Sequence, residues 1–189
     1  MEQQAYKKDD DLIARLDAAV AMSDCPTICH AVKDVLHDIV VEGSDLVPER
    51  FLQPAQDRYA RRLLHRDPEG RYTVLVMVWD KGQGTALHDH AGMWCVECVY
   101  RGRIKVVSYD RKDDGTTDTY NFEKESSIFA GIGDAGALIP PFEYHTIENA
   151  EDTPAITIHV YGGEMDHCHV FVPVEDGFKR ERRELCYTD

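Results

Sequence analysis

From Tyr72 onward the chain reads as about nine short β-prone runs: TVLVMVW, CVECVY, RIKVVSY, TTDTYNF, SSIFAGI, GALIP, HTIEN, AITIHVY and HVFVPV. Turn signals such as DKGQG, RG, DRKDDG and NAEDTP part most of them, and no helical pattern intervenes. Parallel sheets need long helical crossovers between strands, so this pattern excludes a βαβ architecture and leaves a closed barrel or a sandwich. The GIGDAG loop lacks a following helix and a Lys-Ser/Thr pair, and is read as a turn rather than a phosphate loop.

The first third has a different grammar. Apolar residues at 12, 13, 16, 19 and 20 form a helical stripe behind an acidic start. A second helix starts at Ser23 or Asp24 as cap, carries Pro26 in its first turn and buries Ile28, Val32, Val35 and Ile39. A third short helical piece is expected around 54–60. With no second core and no long linker, one domain is expected over 1–189: helical to about 65, β-barrel from about 70 to 175, and a charged tail over 176–189.

The 35 acidic against 21 basic residues give a net charge of −14, which argues against a nucleic-acid or anionic-membrane partner. No apolar run approaches the roughly 20 residues a bilayer span needs. The polar, acidic N-terminus does not read as a signal peptide, so the expected compartment is the cytoplasm and the expected state a monomer. Cysteines 25, 29, 95, 98, 168 and 186 are then read as reduced thiols. Cys95-x-x-Cys98 lacks a second pair, and its odd offset on a strand aims the two sulfurs at opposite faces, against a zinc ribbon.

Chemistry concentrates in GQGTALHDHAGMWCVECVYRG. His88 and His90 stand two apart, and on a strand both imidazoles point to one face. Such a pair can hold a transition metal or simply occupy a polar pocket; a third ligand from elsewhere favours the metal. His145 in HTIEN, approached through Pro140-Pro141, offers that ligand. Thr157, His159 and Tyr161 alternate on one strand face and need polar partners if they face inward. His167-Cys168-His169 is a second, weaker metal candidate. Trp79 and Trp94 read as core and pocket wall, and His30, His37 and His65 as surface or packing residues.

The spacing of Gly82, His88, His90, Cys95 and Gly102 resembles the first cupin motif, with Cys95 where most cupins place a glutamate. Pro140, Phe142, His145 and Asn149 resemble the second motif, with Phe142 in place of the usual glycine. Together with the His159-Val-Tyr161 strand, these features resemble the cysteine dioxygenase family, from about Tyr59 to Val172. The resemblance implies a mainly β fold, a cupin (jelly-roll-like) β-barrel with an N-terminal helical segment packed on it. It implies an Fe(II) centre held by His88, His90 and His145, with Thr157, His159 and Tyr161 as a catalytic trio. It implies Arg61, beside Tyr59, as the anchor for the substrate carboxylate, the adjacent Arg62 leaving a one-residue choice of register. It further implies a Cys95–Tyr161 thioether crosslink, which many bacterial relatives lack.

The activity implied is Fe(II)- and O2-dependent oxidation of a small thiol, with L-cysteine becoming cysteine sulfinate. 3-Mercaptopropionate and cysteamine are the alternative substrates; glutamine at the arginine position tends to accompany the former, so Arg61 favours cysteine. From another class, a non-catalytic metal-binding cupin that senses a small ligand is the competing reading.

Overall fold

The computed structural model describes residues 2–43, 46–113 and 119–189, the side chains of 2–9 excepted. Helix α1 (Glu2–Val20) starts well before the apolar stripe and buries Leu12, Leu16 and Ala19. At the start of α2 (Cys25–Val41) the Asp24 carboxylate accepts the Thr27 amide at 3.0 Å and the Thr27 hydroxyl at 2.8 Å. The buried face of α2 runs through Cys29, Val32, Leu36 and Ile39. That is a step round from the expected line, leaving Ile28 and Val35 only partly buried.

The strands among the described residues are β1 (Ala60–Arg66), β2 (Thr73–Trp79), β3 (Cys95–Arg101), β4 (Ile104–Arg111), β5 (Thr119–Tyr120), β6 (Phe122–Ala130), β7 (Ala135–Leu138), β8 (His145–Asn149), β9 (Ala155–Tyr161), β10 (His167–Val174) and β11 (Gly177–Glu184). The front of the TTDTYNF run lies outside the described residues. Strands β1, β2, β9, β3 and β7 form one antiparallel sheet in that order. Opposite it lie the sets β6-β4-β8 and β10-β11-β5. The segment 84–88 links these two sets, Gly84 bridging Glu148 while His88 bridges His145 and Val170.

The period-2 alternation of β2 and β9 explains why both are buried along their whole length. Val74, Val76, Val78, Ile156, Ile158 and Val160 face outward into the core made with α1 and α2. Met77, Trp79 and Val99 face inward and meet Ile104, Val106 and Ile147 of the opposite layer. The two helices therefore cover the back of the five-stranded sheet and leave the barrel interior free for chemistry. The Cys95 and Cys98 side chains fall in different cores, as an odd offset demands.

Two expectations are corrected. Residues 54–59 form no helix; a 3-10 turn at Glu49–Phe51 stands nearby, and Ala60 already begins β1, paired from Ala60↔Val78. The outer edge of β2 needs a ladder partner, and this segment supplies it. The segment 176–189 is likewise not a solvated tail. Its front is β11, paired with β10 from His167↔Glu184 to Val174↔Gly177, and Phe178 packs on Phe122 with ring centroids 5.4 Å apart. The mixed charges are the exposed side chains of a strand. Beyond it the chain returns to β1, where the Thr188 amide donates to the Arg61 carbonyl at 2.7 Å.

Candidate metal centre

The strand expected under His88 and His90 does not form; His88 instead makes an isolated bridge to His145, the first residue of β8, and this backbone pairing sets those two rings side by side. His90 follows at the turn where Ala91 adopts a φ of +53° and Gly92 of +81°. The ligating atoms of His88, His90 and His145 all lie within 4.8 Å of one another. Ring centroids are separated by 5.2 Å (88–90), 4.6 Å (88–145) and 5.1 Å (90–145).

Two of these rings are oriented by backbone. His88 Nδ1 lies 3.0 Å from the Ala86 carbonyl and His145 Nδ1 3.0 Å from that of Glu143, so each Nδ1–H donates and each Nε2 is left to ligate. The third ring leaves a buried nitrogen, His90 Nδ1, without a hydrogen-bond partner among the described residues. Burial holds the imidazoles unprotonated: His145 is lowered to about 4, and His88 to about 3 with help from His145. His90 is pushed well below its usual value by burial and the two neighbouring imidazoles. Three neutral imidazoles offering free nitrogens to one point fit a divalent transition metal with no proton to displace.

Asp89, between two of the ligands, ties the loop to the barrel. Its carboxylate accepts the Ala91 amide at 3.1 Å and the His169 amide at 2.9 Å, and lies 2.9 Å from His169 Nδ1. His167 pairs with Asp166 at 2.6 Å. The His167-Cys168-His169 run is thus divided between two carboxylates, and it stands outside the metal-capable cluster found among the described residues.

The trio of β9 stands beside the three histidines. Trp79 Nε1 donates to Thr157 Oγ1 at 2.9 Å, which leaves the threonine proton for His159 Nε2 at 2.7 Å. That order assigns the remaining proton of the imidazole to Nδ1, which faces the Tyr161 hydroxyl at 3.4 Å. Burial, reinforced by His145, lowers His159 to about 3, and burial drives the Tyr161 phenol and Cys95 thiol well up. Cys95 and Tyr161 are cross-strand partners on β3 and β9. Tyr59 stacks on Trp79 with centroids 4.5 Å apart.

The two arginines diverge as strand neighbours must. Arg61 turns inward, 4% exposed, with Nη2 donating to the Met165 carbonyl at 2.6 Å and the guanidinium 5.0 Å from the Tyr187 ring centre. Arg62 turns outward and donates to the carbonyls of Phe51 and Gln53 at 3.1 and 2.7 Å. Arg61, Tyr59, the three histidines, His159 and Tyr161 line a single cavity of about 30 Å³. A second cavity of about 240 Å³, walled by Ala86, Val170 and Val172, shares Tyr59, Thr85, His88, Cys168 and Leu185 with it.

Sequence reasoning overlooked several groups here. Glu97, on the inward face of β3, is 6% exposed, and burial raises its carboxyl to about 7. The signal was present, since a charge two residues after Cys95 shares its face. The Met165 carbonyl and the Tyr187 ring carry no local pattern that marks them.

The structure is a two-layered antiparallel barrel of the cupin type whose three inward imidazoles, beside a hydroxyl–imidazole–phenol chain, could hold a metal ion. The chain belongs to the cysteine dioxygenase type I family, whose family model matches residues 42–173. It is 26% identical to cysteine dioxygenase type 1 of Rattus norvegicus over 117 residues and 28% identical to that of Homo sapiens over 120 residues. Each match covers 61% of this chain and 56% of the relative. The chain therefore spans little more than half the length of these relatives. Among solved structures, a Klebsiella pneumoniae protein with a double-stranded β-helix domain has a TM-score of 0.48 at 17% identity, covering 75% of this chain and 95% of that one. No helix among the described residues is long and apolar enough to cross a membrane.

Proposed function

We propose that this chain is an Fe(II)- and O2-dependent thiol dioxygenase that oxidises L-cysteine to L-cysteine sulfinate. The observation that carries the reading is the convergence of Arg61, the three histidines and the Thr157-His159-Tyr161 chain on one small cavity. A merely ligand-sensing barrel has no need of that hydrogen-bonded chain.

His88, His90 and His145 would hold the iron. When bound, the iron supplies a site where a thiolate and O2 meet and both oxygen atoms pass to sulfur. The balance is RSH plus O2 giving RSO2H, with no outside reductant. Three neutral imidazoles leave the +2 charge undiminished, which favours the substrate as thiolate. Arg61 keeps Nη2 on the Met165 carbonyl and turns its remaining N–H groups to the substrate carboxylate, fixing the distance from carboxylate to sulfur. Thr157, held by Trp79, fixes the His159 tautomer, so that Nδ1–H supports the Tyr161 oxygen, whose own proton points to the Met77 sulfur on the cavity wall at 3.9 Å.

Cys95 and Tyr161 would form the thioether. The sulfur bonds to the ring carbon beside the phenol oxygen; the S–H and C–H hydrogens leave as two protons and two electrons, which O2 accepts. Turnover with iron and cysteine should remove two hydrogens from the intact mass, and Cys95→Ser should not show that loss. An unchanged wild-type mass after turnover rejects the crosslink.

The activity is tested by oxygen uptake of anaerobically iron-loaded protein with L-cysteine, cysteamine and 3-mercaptopropionate. Uptake with cysteine and formation of the sulfinate are expected. Absence of uptake with every thiol rejects the enzyme reading.

A further inference from the structure

We propose that Glu97 recognises the amino group of the substrate, so that this pocket selects a thiol bearing both an amine and a carboxylate. The proposal rests on the reading of the pocket as a thiol site and assigns it a second specificity residue.

Glu97 sits between Cys95 and Val99 on the inward face of β3, level with His159 across the sheet. It lines the cavity of the three histidines, and its Oε2 is buried without a hydrogen-bond partner among the described residues. Oε2 lies 3.8 Å from His145 Nε2 and 3.7 Å from His159 Nδ1, both beyond hydrogen-bond length. A buried carboxylate without a donor is expensive, and a fold that only had to fill this space would be served by valine or leucine.

The surrounding groups supply no donor. His145 spends Nδ1–H on the Glu143 carbonyl, and its Nε2 belongs to the metal cluster. His159 serves Thr157 and Tyr161. On its far side Glu97 borders a second cavity of about 150 Å³ walled largely by Val99, Ile104, Val106 and Leu138; the Ser108 hydroxyl also lines it but makes no hydrogen bond to Oε2. Nor does Glu97 join the metal set: the cluster of ligand atoms within 4.8 Å contains only the three histidines.

The missing donor therefore comes from the cavity. Arg61 enters that cavity from β1 and Glu97 from β3, with β2 and β9 between them in the sheet. A buried cation on one side and an unpartnered carboxylate on the other match a small molecule with a carboxylate at one end and an N–H donor at the other. With sulfur directed to the histidines, that molecule is an amino-acid thiol. 3-Mercaptopropionate satisfies Arg61 and leaves Glu97 bare; cysteamine satisfies Glu97 and leaves Arg61 bare.

The test is anaerobic calorimetric titration of the iron-loaded wild type, Glu97→Gln and Glu97→Leu with L-cysteine, cysteamine and 3-mercaptopropionate, with iron content measured on each sample. Loss of a hydrogen bond to a charged group predicts that Glu97→Leu weakens cysteine and cysteamine by roughly 10–100-fold while 3-mercaptopropionate binds as well or better. Glu97→Gln, whose amide oxygen still accepts, should fall between, with iron content unchanged in both variants. Equal weakening of all three thiols, unchanged cysteine affinity, or loss of iron overturns the assignment. A wild type that binds none of the three thiols overturns the thiol reading itself; a wild type that binds them alongside variants that do not discriminate overturns only the role of Glu97.

Discussion

Replacing Arg61 by glutamine separates the carboxylate anchor from every other role the cavity performs. The guanidinium is buried, and one of its N–H groups is committed to the Met165 carbonyl at 2.6 Å. One edge of the guanidinium fork, with its two N–H groups, remains for a carboxylate, as two charge-assisted hydrogen bonds. At about 1.5–3 kcal/mol each they contribute about 3–6 kcal/mol, or roughly 10²–10⁴-fold in kcat/KM. Glutamine retains a neutral donor, so the lower half of that range is expected for L-cysteine and 3-mercaptopropionate. Cysteamine has no carboxylate and should change by less than about threefold, because it never drew on those bonds. Oxygen-uptake kinetics with the three thiols give the comparison, and Arg62→Gln supplies the control. Arg62 bonds the carbonyls of Phe51 and Gln53, so its loss should lower thermal stability without altering the ranking of substrates. Equal losses on cysteine and cysteamine for Arg61→Gln, or selective harm from Arg62→Gln, would refute the assignment. Paired with the Glu97 variants, the experiment forms a cross: one substitution penalises thiols with a carboxylate, the other thiols with an amine.

Two further outcomes follow from groups outside the cavity. Asp89→Ala frees the His88–His90 loop from the His169 amide and imidazole, and should weaken metal binding by roughly 10–100-fold in chelator competition with the protein otherwise folded; unchanged affinity would show that the carboxylate does not orient the loop. Asp67 is lowered from 3.8 to about 2, chiefly by hydrogen bonds from Arg71. A depressed folded value means that its stabilisation is complete above the unfolded value and lost as pH falls through the folded one. Wild type and Asp67→Asn should therefore differ in urea unfolding at pH 7 and converge as pH approaches about 2, whereas a pH-independent gap would reject the assignment.

What was legible in the sequence followed from periodicity. The trio of β9 alternates, so its shared face follows from strand geometry alone, whereas His88 and His90, two apart, are brought together by an isolated bridge to β8 and the turn after it. The same geometry sends Arg61 and Arg62 to opposite faces, once 60–66 is recognised as a strand rather than the end of a helix. That recognition failed because ARRLL carries no alternation of polar and apolar residues; both arginines are buried, one against the cavity and one under 51–53. The C-terminal strand was hidden for the opposite reason. FKRERRE has a solvated face, and its pairing depends on β10, which no local pattern announces. Glu97 was passed over because the flanking cysteines invited a metal reading, although the one charge inside CVECVY was the anomalous letter.

The division of the site between layers bears on how it is assembled. The metal histidines come from the 84–90 segment and β8, on one wall, whereas Arg61, Glu97, His159 and Tyr161 come from β1, β3 and β9 on the other. Neither wall holds a complete site, so substrate geometry depends on the spacing between layers, fixed by Met77, Trp79 and Val99 against Ile104, Val106 and Ile147. The helices back only the second wall, packing Leu12, Leu16, Val32 and Leu36 behind Val74, Ile158 and Val160. They back the sheet that carries Arg61 and Glu97, while the histidine wall is ordered by backbone bridges. In such an arrangement a loss of helix packing reaches chemistry through the positions of Arg61 and Glu97 before it reaches metal affinity.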